Sequence, residues 1–405
     1  MISRDTPILV TGATGFIGGR VCERLVQAGA KQVKALVHTL QHAPRIARLP
    51  IELRVGNLLD RQSLRAALND IQIVIHCGLG PRRGIVRATR NMLEAAQGAR
   101  IERFVHISSA AVYGLRPPAG ANTESAPLRL TGNLYADSKL RAERVVARFT
   151  SRGFPVISLR PSIVYGPYSS WSTRLIGQLR SGHGVLIDEG QGACNTTYVD
   201  NLVDAIFLAL DAPHALGESF FITDGEPVTW GDFIRAHVDM MDPKPRLAQI
   251  SSSQIEAHYR KQPGVITSSL KAVPKLFLNR GNLFQIPIVQ HAHERVWETA
   301  GAMNKERRDG LRTLRRKLLS MPLLGRPLSS VWRSVAGSDQ VTSVSASNGH
   351  APATPVPDRE SWEEQTGAVF FSIEKARRVL GYEPRIPFSE GIRRVEAWLR
   401  YAEYL

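Results

Sequence analysis

The sequence is short of the features that define many protein classes. Its 405 residues include three cysteines, Cys22, Cys77 and Cys194, with no CxxC spacing. That argues against a disulfide framework or a zinc site and leaves the thiols as small buried hydrophobes. No apolar run of about 18 residues occurs, and the N-terminus has a short strand and a Gly-rich turn where a secretion signal needs an apolar core. A cytoplasmic location is expected. Acidic residues are scarce: 36 Asp and Glu face 52 Lys and Arg, for a net charge of +16. Between Lys244 and Arg333, seventeen cations stand against five carboxylates, so most of the excess lies in one segment. Such a segment is attracted to acidic surfaces. No internal repeat and no recognised nucleic-acid module is visible, so nucleic acid is not the expected partner.

What is present begins with Thr11-Gly-Ala-Thr-Gly-Phe-Ile-Gly18, which follows the apolar run Ile8-Leu9-Val10. Phe16, Ile17, Val21, Leu25 and Val26 then recur at helical spacing, so the stretch reads as strand, tight turn and helix. Gly12 permits the turn, Gly15 lets a pyrophosphate approach the backbone, Gly18 lets helix and sheet close together, and the helix N-terminus offers N–H groups to the anion. A second strand, Val33 to Val37, ends at His38 without a carboxylate, and Arg45 and Arg48 follow. This tilts the expected dinucleotide from NAD to NADP, although the same residues also fit a solvated loop. Further strands are expected within Leu53 to Asp60, which includes the exit loop, and at Ile71 to His76 and Arg103 to Ser109. Between them lie helices at Ser63 to Leu68, with Ser63 as its cap, and Val86 to Ala96. Alternating strands and helices predict an α/β, Rossmann-type doubly wound parallel sheet whose ligands bind beyond the strands' carboxyl ends.

Ser108-Ser109 closes the fifth strand, and Tyr135-Ala-Asp-Ser-Lys139 opens a helix with Tyr and Lys on one face. An ammonium beside a phenol favours the phenolate, a serine hydroxyl can hold a substrate oxygen, and a nicotinamide exchanges hydride. With these residues in this order, the chain resembles an extended short-chain dehydrogenase/reductase of the NAD(P)-dependent epimerase/dehydratase type. The resemblance implies that Ser109, Tyr135 and Lys139 are catalytic. It implies cofactor contacts at Gly12, Thr14, Gly15, Phe16, Ile17, His38, Asn57, Leu58, Cys77 and Pro161, with Tyr135 and Lys139 also meeting the cofactor, and it implies no metal. It covers about Pro7 to Asp224 and returns at Phe371 to Leu399.

Departures from the family pattern narrow the chemistry. Ser109-Ala110-Ala111 stands where sugar 4,6-dehydratases of the family have Thr-Asp-Glu, which argues against dehydration. Ala193 to Thr197 lacks the arginine with which many nucleotide-sugar members grip a phosphate, and Thr197-Tyr-Val-Asp-Asn201 resembles the 3β-hydroxysteroid dehydrogenase branch. The expected function is an NAD(P)-dependent oxidoreductase of a secondary alcohol or ketone, with a nucleotide-sugar epimerase placed first on the breadth of the family. A 3β-hydroxysteroid-dehydrogenase-like or other lipid alcohol/ketone oxidoreductase is the alternative. A non-catalytic NADP-binding scaffold is the reading from a different class.

The expected domains are a dinucleotide-binding part over 1–180, a substrate lobe over 181–249, a basic helical insertion over 250–335, a flexible linker over 336–358, and a closing part of the substrate lobe over 359–405. In residues 305–333, basic residues alternate with leucines and Trp332 follows, the pattern of a helix on an anionic membrane surface. A helix packed on the catalytic lobes is the plainer reading. The expected partners are thus a small-molecule substrate and an anionic membrane surface at the inner face, and a homodimer is compatible with the sequence.

Overall fold

The strands read from the sequence assemble into one sheet because most are apolar on both faces, the part-exposed edge strand Glu52–Val55 excepted. The computed structural model describes residues 3–261 and 355–405. In chain order the elements bearing on the site begin with β1 (Ile8–Thr11), α1 (Phe16–Gln27), β2 (Val33–Val37), α2 (Pro44–Ala47), β3 (Glu52–Val55) and α3 (Arg61–Ala67). Then come β4 (Ile73–His76), α4 (Ile85–Gln97), β5 (Arg103–Ile107), α5 (Leu134–Thr150), β6 (Val156–Pro161), β7 (Ile163–Tyr165) and α6 (Ser170–Arg180). After β8 (Val185–Ile187) and β9 (Thr196–Tyr198) follow α7 (Val199–Leu210), β10 (Ser219–Ile222), α8 (Trp230–Asp239), β11 (Ala248–Ile250) and α9 (Ser252–Lys261). The chain closes with α10 (Arg359–Gln365), α11 (Glu374–Leu380) and α12 (Phe388–Tyr401).

Seven strands pair in the order β10-β6-β5-β4-β1-β2-β3, every pair parallel. The order reverses between β1 and β4, the point beyond whose carboxyl ends such sheets bind their ligands. Residues of β1, β2, β4 and β6 are buried throughout, as a sheet covered on both faces requires. On one face Val10, Ile75 and Val105 pack with Val21 of α1 and Leu202 and Ile206 of α7. On the other, Leu9, Val74 and Phe104 meet Leu64 of α3, Met92 of α4 and Val146 and Phe149 of α5. The Rossmann-type doubly wound sheet expected from the sequence is the fold observed.

One local expectation is corrected. Asp60, not Ser63, caps α3: its Oδ1 accepts the Gln62 N–H at 3.0 Å. The Ser63 hydroxyl sits inside the first turn and donates back to the Asp60 carbonyl at 2.9 Å. A carboxylate at a helix start gains from the helix dipole as well as from the N–H, which a hydroxyl one turn later does not.

The described residues fall into a compact unit of 1–255 with 354–405 and a second unit of 256–353, of which only the end of α9 is described. The basic segment 305–333, and most of the expected insertion and linker, lie outside the described residues. Among those described, no helix is long and apolar enough to cross a membrane.

Candidate active site

The turn after β1 is shaped as its glycines require. Gly12 has φ +66°, and a Cβ there would lie 2.8 Å from the Cys77 carbonyl carbon, so only glycine fits both the dihedral and the space. Gly15 is the N-cap of α1; no side chain caps the helix and no carboxylate lies in its first turn. The first-turn N–H groups are thereby left for an anion, and these residues fit a dinucleotide pyrophosphate. A Cβ on Gly78 would lie 2.8 Å from Leu58 Cδ1, 3.1 Å from Thr11 Oγ1 and 3.3 Å from the Gly12 nitrogen, so three strand ends converge at this point.

Thr11 organises that convergence. Its hydroxyl accepts the Gly78 N–H at 3.1 Å and shares a hydrogen bond of 2.7 Å with His76 Nδ1. Burial, with the Lys139 charge adding to it, pushes the His76 pKa down to about 3. His76 stacks on His106 of the next strand, ring centroids 5.6 Å apart. It ties β1 to β4 beside the cofactor turn.

The other sequence-derived cofactor residues spread along the same edge. Cys77 follows β4, its N–H donating to the Thr11 carbonyl at 3.3 Å. Pro161 ends β6. His38 is exposed at the end of β2. The Asn57 side-chain oxygen is occupied by the Leu59 N–H at 2.9 Å. Arg45 and Arg48 both reach Glu23 Oε1, at 3.3 and 3.4 Å, and the Arg45 guanidinium lies 4.1 Å from the centroid of the Tyr168 ring. Glu23 holds both cations beside α1.

Ser109 and Tyr135 line one cavity of about 410 Å³. Ser109 caps a short 3-10 turn, its hydroxyl accepting the Ala111 N–H at 3.2 Å. Tyr135 is set by Asn133, the N-cap of α5, whose side-chain oxygen accepts the N–H groups of Tyr135 and Ala136, both at 3.0 Å. Lys139, one turn further, is fully buried and donates to the carbonyls of Ile107 and Ser108 at 3.0 and 3.4 Å. Burial lowers its pKa to about 8, against the pull of Glu143.

Sequence reasoning missed the rest of this cavity. One wall is apolar: Trp171 and Leu175 of α6 with Trp230, Phe233 and Ile234 of α8. The roof is the segment 358–371, which brings Asp358, Glu360 and Glu364 to the cavity. Burial pushes the Glu364 carboxyl up to about 8; Arg174 opposes this, while Glu360 and Asp358 add to it. Arg174 is the one arginine or lysine lining the cavity among the described residues, and it rests 4.9 Å from the centroid of the Trp171 ring. Asn195 pins the roof: its amide donates to the Val369 carbonyl at 2.8 Å and accepts the Phe371 N–H at 2.8 Å. No local motif marks residues 358–365, because the partners of this roof lie more than a hundred residues away in sequence.

Known proteins resemble this chain in sequence and in fold. The model of the NAD dependent epimerase/dehydratase family matches residues 8–222, just over half of the chain. A 4-hydroxy-2-methyl-3-oxo-4-farnesyl-3,4-dihydroquinoline-1-oxide ketoreductase of Stigmatella aurantiaca is 28% identical over 60% of this chain and 75% of its own length. A 3 beta-hydroxysteroid dehydrogenase/Delta 5-->4-isomerase of Mycobacterium tuberculosis is 29% identical over 56% of this chain and 67% of its own. In fold, the chain is similar to the crystal structure of UDP-glucuronic acid 4-epimerase from Bacillus cereus with UDP-glucuronic acid and NAD, with a TM-score of 0.61, 18% identity, and coverage of 98% of this chain and 100% of that one.

Proposed function

The chain belongs to the NAD dependent epimerase/dehydratase family, and from that premise we propose that it interconverts a secondary alcohol and a ketone on a largely apolar, uncharged substrate. It is an NAD(P)-dependent enzyme of the extended short-chain type. The bound nicotinamide supplies or accepts the hydride. Tyr135 gives a proton to the substrate oxygen in reduction and takes it in oxidation, Ser109 holds that oxygen, and the Lys139 ammonium stabilises the tyrosinate left behind.

The observation that carries the substrate class is the cavity itself. Three carboxyl groups, an aromatic wall and Arg174 line the cavity that Ser109 and Tyr135 share. Asp358 and Glu360 oppose a diphosphate at this roof, while Glu364, its carboxyl pushed up to about 8, adds no charge at neutral pH; a lipophilic ring or chain packs on Trp171, Trp230 and Phe233. Two relatives named for a ketoreductase and a hydroxysteroid dehydrogenase agree with this reading. The sequence put nucleotide-sugar epimerisation first. It becomes the second reading, resting on Arg174 as a cation able to meet a phosphate. Ala110 and Ala111 line the cavity beside Ser109 and bring no carboxylate for a dehydration step. Of the two cofactors we infer NADP, because β2 ends at the exposed His38 with no carboxylate for the ribose hydroxyls; Arg45 and Arg48, paired with Glu23, do not carry this reading.

The test is turnover of NADPH and NADH with a hydroxysteroid/ketosteroid pair and with UDP-glucuronic acid, for the wild type and Tyr135→Phe. Steroid-dependent nicotinamide oxidation that falls at least about a hundredfold in the variant supports the proposal. Interconversion of the UDP-sugar alone selects the epimerase, and no redox change with cofactor still bound selects the scaffold.

A further inference from the structure

The layer of helices α3, α4 and α5 buries Leu64, Met92, Val146 and Phe149 against the sheet and turns a different chemistry outward. On α5, Arg141, Arg144 and Arg148 are exposed, and Arg152 continues the row just beyond the helix end. Steps of three, four and four residues keep them on one stripe. The neighbouring α4 exposes Arg87 and Arg90, and α3 exposes Arg61 and Arg65. Of the acidic residues on these helices, Glu143 is buried against Arg160, Glu94 pairs with Arg61 at 2.7 Å, and Asp137 is held by the backbone of Thr131 and Gly132. Among the described residues, Arg65, Arg90, Arg141, Arg144, Arg148 and Arg152 have no ion pair.

From this layer we propose that the outer face of α3, α4 and α5 docks the protein on an anionic lipid bilayer. Guanidinium groups at this density complement a plane of headgroup phosphates and form paired hydrogen bonds with them. The face has almost nothing to insert: Leu134, at the start of α5, is the one large apolar residue exposed on these helices. Attachment is therefore electrostatic and reversible by salt. A second copy pairing through this face would set arginine against arginine. The face also has no exposed aromatic side chain on which the bases of a single-stranded nucleic acid could stack. This inference rests on the helix faces alone and is independent of the substrate reading, although an apolar substrate drawn from a membrane agrees with it.

Co-sedimentation of the full chain with phosphatidylcholine vesicles, with and without phosphatidylglycerol, tests the proposal. The wild type binds the anionic vesicles and not the neutral ones, and releases them at about 1 M salt, where the screening length falls to ~3 Å. Arg141→Glu/Arg144→Glu/Arg148→Glu lowers the partition coefficient by roughly a hundredfold or more, at about fivefold for each arginine lost. Retained NADPH fluorescence on binding shows that the variant is folded. Arg87→Glu/Arg90→Glu is the second variant, on a different helix, and also weakens binding. Equal vesicle binding by the wild type and both variants overturns the proposal and assigns attachment to another segment. Failure of the wild type to bind anionic vesicles, with or without tight binding of a mixed-sequence oligonucleotide, also overturns it.

Discussion

Glu143 and Arg160 form a buried two-point ion pair beneath the catalytic edge, Nε to Oε1 at 2.9 Å and Nη2 to Oε2 at 2.6 Å. Ser108, next to the proposed catalytic serine, donates its hydroxyl to the same Glu143 Oε1 at 2.5 Å. Arg160 also donates to the Tyr113 hydroxyl at 3.0 Å, and Tyr113 donates to the Glu124 carbonyl at 3.1 Å. One carboxylate therefore joins β6, α5 and the loop that carries Ser109.

Glu143→Gln should consequently act in two ways. It leaves the Arg160 charge buried without its counter-ion, which costs about 3 kcal/mol and shows as a lower denaturation midpoint. It also removes the charge that holds the Lys139 pKa up, so the alkaline fall in kcat moves to lower pH. A midpoint within error of the wild type would show that the pair is not the tie described.

Lys139 is costly to keep. Its pKa falls from an ordinary value of 10.5 to about 8 on burial. The unfolded chain thus holds this proton more tightly than the folded chain, and the charge destabilises the fold below pH 8 by about 3 kcal/mol. That penalty is relieved as pH rises from 8 toward 10.5, the window between the two values. Lys139→Met should raise the melting temperature at pH 7 while reducing turnover by at least about a hundredfold. A variant that loses both stability and activity would contradict this account.

Asp224 gives the opposite sign of pH dependence. Its Oδ1 accepts the Tyr198 N–H at 2.7 Å and the Asn201 amide at 2.8 Å, yet burial dominates and pushes its pKa up to about 6. A carboxyl raised in the folded state contributes stability at low pH that is lost as pH rises through about 4 to 6. Asn keeps the accepting oxygen and carries no charge. Asp224→Asn should therefore leave the melting temperature unchanged at pH 4 and raise it at pH 8, and equal effects at both values would count against the assignment.

The sheet and its cofactor edge were legible in the sequence because their signals are local. TGATGFIG follows a strand, Tyr135 and Lys139 are one helical turn apart, and most strands, such as β1 and β4, are short apolar runs. Asp60 over Ser63 as the cap of α3 was the kind of choice that propensity leaves open, since both residue types cap helices. The cavity was not legible. Glu364, Trp171 and Trp230 meet only because Asn195 and Trp230 anchor the roof, the latter through its indole N–H on the Glu364 carbonyl at 3.0 Å. The arginine spacing on α5 was legible in the sequence, but its freedom from ion pairs follows from the burial of Glu143 against Arg160, which spacing alone does not show.

Glu364 offers a way to separate substrate binding from catalysis. With its carboxyl pushed up to about 8, it is neutral at physiological pH and becomes charged on the alkaline side. Ionisation adds a third negative charge to a cavity already facing Asp358 and Glu360, so the KM for an uncharged apolar ketone should rise above pH 8. Loss of the Lys139 proton falls in the same range but acts on the chemical step, and so lowers kcat instead. Glu364→Gln keeps the hydrogen-bonding shape without the charge: its KM should stay flat from pH 7 to 9 while kcat still falls. If KM for the Gln variant climbs with pH as in the wild type, Glu364 is not the group that governs binding.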